Sequence, residues 1–335
     1  LINNKSVQAS NGQTFERCNP LDGSVATVAP AATPEDAIAA VEAAAAAFPA
    51  WSETTPGERR ALLSKAAHAL EGKAEALIAA MASETGAAAP WAGFNVHLAA
   101  GMLHEAAAIT TRISGEVIPS DVPGNLALAV RQPTGVILGI APWNAPVILG
   151  IRAIATPLAC GNTVIFKGSE LCPATHGIIV EAFKEAGFPE GVVNFVTNAP
   201  ADAAEVVEAM VSHSMLRCVN FTGSTRVGKL IAQTCAKYLT PVILELGGKA
   251  PFVVLDDANL DEAVNGAAFG AFANSGQVCM STERLIVDNK IADAFIDKLA
   301  AKAKALPLGD PRKGPVVLGS VADASIVNRC NELIE

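Results

Sequence analysis

The sequence predicts an α/β protein: a parallel sheet with helices on both faces, a second α/β region after it, and a protruding β-hairpin arm. Three observations carry that expectation. Between residues 135 and 244, short apolar, β-branched runs alternate with helical patterns, and such alternation builds parallel sheets. The chain has 335 residues, long enough for two domains and a sizeable core. Its composition is 51% hydrophobic and only 17% charged, which excludes a disordered chain.

Taken in order, residues 1–33 read as short strands and turns, with turn signals at Asn19-Pro20 and Asp22-Gly23. A helix opens at Thr33-Pro34-Glu35-Asp36. Thr33 suits the N-cap, Pro34 the first helical position and the acids the first turn, and the alanine-rich run to Phe48 has high helix propensity. Further helices are expected over 56–83 and 87–112. Residues 117–131 read as an extended hairpin turning at Pro123-Gly124. The alternating series follows. Strands are expected over 135–140, 163–166, 192–196, 217–221 and 241–244, and helices over 146–159, 174–186, 201–211 and 225–236. A helix over 260–273 and a strand over 284–287 close the reading.

Several function classes are excluded. Net charge is −9 with no basic run, so nucleic acid and anionic membrane surfaces are poor partners. Residues 132–166 carry a single charge, Arg152, and are long enough to cross a bilayer. Four prolines and four glycines break that stretch into short pieces, which makes it buried core. No signal peptide is visible, and a start at Leu1 without methionine implies a few residues ahead of it. The seven cysteines show no C-x-x-C pair, in keeping with a reduced, cytoplasmic setting. The five histidines form no H-E-x-x-H and no cluster with cysteine, so no metal is expected.

Chemistry-bearing residues fall where parallel sheets hold ligands, at the carboxyl ends of strands. Cys279, in Asn274-Ser275-Gly276-Gln277-Val278-Cys279, sits between a helix and a strand. It reads as a nucleophile or as a small buried hydrophobe. Phe221-Thr222-Gly223-Ser224 joins a strand to a helix. Gly223 permits close backbone approach and Ser224 with the new helix could hold a pyrophosphate; the alternative is a serine-capped helix start. Lys167 and Glu170 either grip ribose hydroxyls or form a solvated charge pair. Asn144, in Pro142-Trp143-Asn144-Ala145-Pro146, either donates to an oxyanion or suits a turn. Glu245 reads as a general base or as the partner of Lys249 or Lys167. Arg152 meets a polar substrate group or an acidic neighbour. Trp91 is assigned to the core.

Five motifs occur in one order: Pro-Trp-Asn at 142–144, Lys-Gly-Ser-Glu at 167–170, Phe-Thr-Gly-Ser at 221–224, Glu-Leu-Gly-Gly-Lys at 245–249 and Gly-Gln-Val-Cys at 276–279. Together they resemble the aldehyde dehydrogenase superfamily, closest to bacterial aromatic aldehyde dehydrogenases acting on salicylaldehyde or vanillin. The resemblance implies a Rossmann-like cofactor domain from 1–116 and 132–245, an oligomerisation hairpin at 117–131 and a catalytic domain from 246–335. It implies Cys279 as nucleophile, Glu245 as general base, and Asn144 with the Cys279 backbone N–H as oxyanion hole. Ile140, Trp143, Lys167, Glu170, Gly223, Ser224, Val227 and Leu246 would bind NAD, with NADP as the alternative. The reaction implied is aldehyde to carboxylic acid, in a homodimer or homotetramer. Family members run to roughly 480 residues, so the resemblance also implies that this chain, stopping at Glu335, lacks the second half of the catalytic domain, the Glu-x-Phe motif that holds the nicotinamide ribose and the C-terminal strand that pairs with a neighbouring subunit. A truncated, inactive fold that binds nucleotide only, favoured by the stop at Glu335, and a scaffolding protein are the readings from other classes.

The substrate pocket follows from spacing. Ala145, Leu149 and Arg152 share one helical face beside Asn144, while Val278 and Met280 flank Cys279. Ala145 leaves room for a flat ring, Leu149 and Met280 give apolar contact, and Arg152 meets a ring hydroxyl. Aromatic, hydroxylated aldehydes are the expected substrates.

Overall fold

The structure is a computed structural model describing all residues, Leu1–Glu335. Strands β1 (Thr14–Cys18) and β2 (Val25–Pro30) form an antiparallel pair. Helix α1 (Pro34–Ser52) opens on a reciprocal capping box between Thr33 and Asp36 and continues through Pro49, past the expected end at Phe48. The helix expected over 56–83 is two, α2 (Pro56–Glu71) and α3 (Ala74–Thr85). Gly72 and Lys73 break it, because glycine is a poor interior helix residue. Helix α4 (Ala89–Ile109) ends in a single 3₁₀ turn. Strands β3 (Glu116–Ile118) and β4 (Ala127–Ala129) form the exposed hairpin arm.

The central series runs β5 (Val136–Ile140), α5 (Pro146–Ala159), β6 (Thr163–Lys167), α6 (Pro173–Glu185), β7 (Val193–Val196), α7 (Ala203–Ser212), β8 (Leu216–Thr222), α8 (Thr225–Tyr238) and β9 (Val242–Glu245). The five strands are all parallel, in the order β7-β6-β5-β8-β9. Successive side chains leave a strand on opposite faces, and β6 shows the division. Val164 and Phe166 join a core built from α2 to α6. Ile165 joins the one built from α1, α7 and α8. From β5 the chain steps one way to β6 and β7, then returns to the other side for β8 and β9. The turn of direction lies between β5 and β8, where open parallel sheets form a ligand crevice at their carboxyl ends.

Beyond the sheet, β10 (Ala250–Val254), α9 (Leu260–Phe272), β11 (Thr282–Val287), α10 (Ala292–Lys304) and α11 (Ala324–Ile334) complete the chain. β10 and β11 pair in parallel as a separate two-stranded sheet. The sequence reading has no strand over 250–254, nor helices α10 and α11. Pro251 conceals β10, since proline cannot donate to a ladder and is confined to sheet edges; in a two-stranded sheet both strands are edges. No helix is long and apolar enough to cross a membrane. The apolar stretch around Arg152 is α5 between two buried strands.

Candidate active site

The loops leaving β5, β6, β8 and β9 emerge at one end of the sheet, and they carry most of the residues singled out above. The β5 loop holds Trp143 and Asn144. Trp91 on α4 donates its indole N–H to the Asn144 carbonyl at 3.0 Å, so it is a brace for this loop, not inert core filling. The same carbonyl accepts a bond from the Asn274 amide at 2.9 Å. The Asn144 side chain donates from Nδ2 to the carbonyl of Gln277 at 2.9 Å, two residues before Cys279. An amide nitrogen has two N–H groups, so one remains for a ligand. Asn144 Oδ1 is buried with no partner.

Cys279 is half-buried, with its thiol unbonded to another cysteine. It follows three consecutive residues at positive φ: Asn274 at 51°, Ser275 at 57° and Gly276 at 76°. For Ser275 this left-handed conformation is costly and persists only where the surroundings impose it. They do so here. Gln277 Nε2 donates to the Asn274 carbonyl at 2.9 Å, Ser281 Oγ to the Gly276 carbonyl at 3.3 Å and Ser275 Oγ to the Gly319 carbonyl at 3.2 Å. Gln277 Oε1 also accepts from Ala322 N at 2.9 Å. The Cys279 loop is thus fastened to the Asn144 loop and to residues 319–322. Sequence reasoning missed Gln277 and Asn274 as braces, although both lie in the motif it used.

Glu245 ends β9, and its side chain is 58% exposed. β9 is the outermost strand of its sheet, with nothing beyond it. The partner of Glu245 is neither Lys249, which pairs with Glu283, nor Lys167. It is Arg152, whose Nη2 lies 3.7 Å from Glu245 Oε2 and donates to Thr222 Oγ1 at 3.2 Å. Arg152 therefore leaves the apolar run and emerges at the sheet's end, 37% exposed. Ala145 and Leu149 on the same helical face turn into the core. Val278 is half-buried, and Met280 is 78% exposed and encloses nothing.

On β6, Lys167 pairs with Glu170, but the pair is not the solvated one considered from sequence. Lys167 is 5% exposed, and Glu170 also accepts from Asn198 Nδ2 at 3.1 Å. The Asn198 Oδ1 beside it is buried without a partner. Sequence gave no signal for Asn198. After β8, Ser224 caps α8 by accepting from Val227 N at 3.3 Å, and its hydroxyl proton remains available to an anion. The first turn of α8 has no acidic residue, which leaves the partial positive charge of the helix start unopposed. Gly223 is needed by the protein itself, because a Cβ there would lie 2.4 Å from the Phe221 ring. Gly228 is likewise filled by Leu246 of the β9 loop, 2.6 Å from where a Cβ would stand. Ile140 is buried at the end of β5 and Trp143 half-buried in the loop after it. A buried cation paired with a half-buried carboxylate, a helix start without acids and an apolar floor fit a nucleotide lying across the carboxyl ends of β6, β5 and β8.

Comparison with known proteins shows the family. The aldehyde dehydrogenase family profile matches residues 7–335. A vanillin dehydrogenase of Pseudomonas fluorescens is 58% identical over 335 residues, which span 100% of this chain and 69% of that protein. The crystal structure of a salicylaldehyde dehydrogenase from Pseudomonas putida G7, complexed with salicylaldehyde, superposes with a TM-score of 0.98 at 48% identity, covering 99% of this chain and 69% of that one. A betaine aldehyde dehydrogenase from Staphylococcus aureus in complex with NAD+ gives a TM-score of 0.94 at 31% identity, covering 99% of this chain and 66% of that one. On the ordered motifs, the sheet topology and these matches, the chain belongs to the aldehyde dehydrogenase family and is an oxidoreductase.

Proposed function

We propose that the protein oxidises an aromatic aldehyde of the salicylaldehyde or vanillin type to the carboxylic acid, using NAD, with Cys279 as nucleophile. The observation that carries this reading is the bond from Asn144 Nδ2 to the Gln277 carbonyl, which sets an amide donor beside the cysteine loop. In this reading the Cys279 thiolate attacks the aldehyde carbon, giving a thiohemiacetal. The oxygen that becomes negative is held by the second Asn144 N–H and the Cys279 backbone N–H, which donates to no backbone acceptor in the chain. A nicotinamide held at this site would supply the oxidation, as acceptor of the hydride lost from the substrate carbon. Glu245 then takes a proton from water as the water attacks the resulting thioester. The carbon–sulfur bond breaks, the thiolate is restored and the acid leaves.

Lys167, Glu170, Ser224 and Val227 hold the dinucleotide, over the floor formed by Ile140, Trp143, Gly223 and Leu246. A carboxylate at Glu170 accepts ribose hydroxyls and repels a 2′-phosphate, so NAD is preferred by about one or two decades, each worth roughly 1.4 kcal/mol. Arg152 meets a ring hydroxyl, and Val278, half-buried next to Cys279, gives the ring apolar contact. The hairpin at 117–131 is an oligomer contact in a cytoplasmic homodimer or homotetramer, a reading supported by the exposure of Val117, Leu126 and Val130 at 71%, 73% and 72%.

The test is cofactor reduction followed at 340 nm over aliphatic, aromatic and hydroxylated aldehydes. Glu245→Gln should give a burst of reduced cofactor and then an almost dead steady state; loss of the burst as well would move Glu245 to an earlier step. The ion pair from Arg152 to Glu245 favours a second reading, a fold that binds nucleotide without turnover. Cofactor binding with no burst in the unaltered protein would select it.

A further inference from the structure

Strand β1 alternates, and its inward face carries Phe15 and Arg17 between exposed neighbours. A buried arginine needs partners for its charge. Arg17 finds them in main-chain carbonyls. Its Nε–H donates to the Glu84 carbonyl at 2.7 Å and its Nη2 to the Ala322 carbonyl at 2.7 Å. The Glu84 carbonyl belongs to the last turn of α3, which has no basic residue of its own. Arg17 therefore supplies, from β1, the positive charge that a helix C-terminus favours.

The surroundings of this guanidinium are fixed on every side. The buried Glu84 carboxylate accepts from Thr27 Oγ1 of β2 at 2.9 Å. It also accepts from Ala174 N at 2.8 Å, Thr175 N at 2.9 Å and Thr175 Oγ1 at 2.7 Å. That is the first turn of α6, which carries the fully buried His176. The carbonyl of Gly86, two residues beyond Glu84, accepts from Ser320 N at 3.2 Å. A Cβ at Gly319 would lie 2.0 Å from that same Gly86 oxygen, so residues 319 and 320 sit directly on the end of α3. Residues 319–322 have no helix or strand of their own, yet Ala322 is buried. Their place is set by α3 and by Arg17.

From Ala322 the contacts run on to the reaction site. Arg17 holds its carbonyl, and its N–H donates to Gln277 Oε1 at 2.9 Å. Gln277 gives Nε2 to the Asn274 carbonyl at 2.9 Å and takes Asn144 Nδ2 on its own backbone carbonyl at 2.9 Å. Three hydrogen bonds thus join β1 to the Asn144 amide: Arg17 to Ala322, Ala322 to Gln277, and Asn144 to Gln277.

We propose that Arg17 is a positioning residue for the reaction at Cys279, fixing the Asn144 amide through Ala322 and Gln277. The proposal rests on the functional reading above, in which Asn144 and Cys279 meet the aldehyde. The side chains suit the task. A guanidinium presents its N–H groups in one rigid plane, so a single group grips two carbonyls at a set spacing. The Gln277 amide has both an acceptor and donors, so it takes the restraint from Ala322 and passes it to the cysteine loop.

Arg17→Met removes both bonds and keeps an apolar stem. It should lower kcat about tenfold, because small misplacements of a reacting group cost at least that much, and leave KM for the aldehyde within about twofold. Cys279 should be alkylated by iodoacetamide about threefold faster, read peptide by peptide, while the buried Cys172 and Cys235 stay unlabelled. The Ala322 amide should exchange its hydrogen about tenfold faster. Arg17→Lys, which returns one cationic donor, should recover part of kcat. In the double variant with Gln277→Ala, kcat should fall no further than in the slower single variant, because both changes break one chain of contacts. If Arg17→Met does not fold, Arg17→Gln takes its place with the same readouts. A lower Tm with kcat, Cys279 alkylation and Ala322 exchange all within about twofold of the parent overturns the proposal. So do kcat losses that multiply in the double variant, and so does labelling of Cys172 and Cys235 alongside Cys279, which would mean general loosening. Unaltered protein that turns over no aldehyde defeats the functional reading alone; alkylation and exchange then still decide whether Arg17 acts on the cysteine loop.

Discussion

The pairs β5–β6 and β10–β11 are both parallel, both apolar and both joined by one crossover helix, yet they differ throughout in burial. Leu138 and Ile165 on the first pair are fully buried, while Val253 and Ile286 on the second are 59% and 53% exposed. The residue types do not explain this. The first pair has helices on both faces; the second has α9 and α10 packed on one face around Val254, Val264, Ala267 and Phe295. A strand's burial is set by what lies over it, as expected when β-propensity reflects fit to a half-buried surface more than a backbone preference. The division also separates chemistry from scaffold. Asn144 leaves the tightly covered sheet, and Cys279 belongs to the thinly covered region and reaches the site through cross-bonds to Asn144 and residues 319–322.

The sharpest way to break this comparison is to separate activity from stability. Cys279→Ser should cut kcat by about 10³-fold or more, because a hydroxyl oxygen is a far weaker nucleophile than cysteine sulfur. Unfolding free energy should move by less than about 1 kcal/mol. Retained turnover would remove Cys279 from the mechanism, and a large loss of stability would make its loop part of the scaffold. Next come paired truncations. Leu138→Ala leaves a cavity between two covered faces and should cost about 2–5 kcal/mol in urea unfolding, against roughly 0.5 kcal/mol for Ile286→Ala. Equal losses would mean that the second sheet is covered in solution, for example by another copy of the chain.

Arg152→Leu tests the seam between the regions. Loss of one charge-assisted bond to a ring hydroxyl should weaken hydroxybenzaldehydes by about 1–3 kcal/mol in kcat/KM and leave benzaldehyde nearly unchanged. An equal effect on both would assign Arg152 to Glu245 alone, as an exposed ion pair of small energetic weight. The gentlest test is pH. His176 has a folded pKa of about 3 and an unfolded value near 6.5, so below pH 6.5 the unfolded chain binds the extra proton. Its contribution is complete above that pH and falls by roughly 1.4 kcal/mol per unit as the pH drops toward 3. Subtracting the urea-unfolding curve of His176→Asn from the parent's, between pH 7 and 5, should recover that slope; parallel curves would mean that the ring is not held neutral.

Much of this was legible from sequence for definite reasons. Alternation marked every strand of the large sheet. Thr33 with Asp36 marked the start of α1, and co-ordered motifs marked the loops. What was hidden lay in contacts between distant segments. Pro251 masked a strand that exists only because both members of its sheet are edges. The pairing of Arg152 with Glu245 depends on β9 being outermost, which a strand list does not reveal. Trp91 and Glu84 lie far from the loops they brace, on helices whose patterns look like ordinary core, and nothing local distinguishes them.

The strand order has a consequence in time. β5, at the centre of the sheet, is made first of the five, and later strands add on either side until β9 ends at Glu245. Cys279 is translated 34 residues later (279 − 245), an interval of about 2–7 s at synthesis rates of roughly 5–20 residues per second. Collapse of a chain of this kind takes only on the order of 10–100 μs. Cys279 therefore leaves the ribosome toward a groove already assembled, and a nascent chain stalled with Glu245 just outside the exit tunnel should already resist brief proteolysis across β5 to β8. A chain that stayed fully cleavable there would show that the sheet waits for the cysteine-bearing half. Otherwise the Cys279 thiol spends almost none of its life without the loops to which its own is fastened.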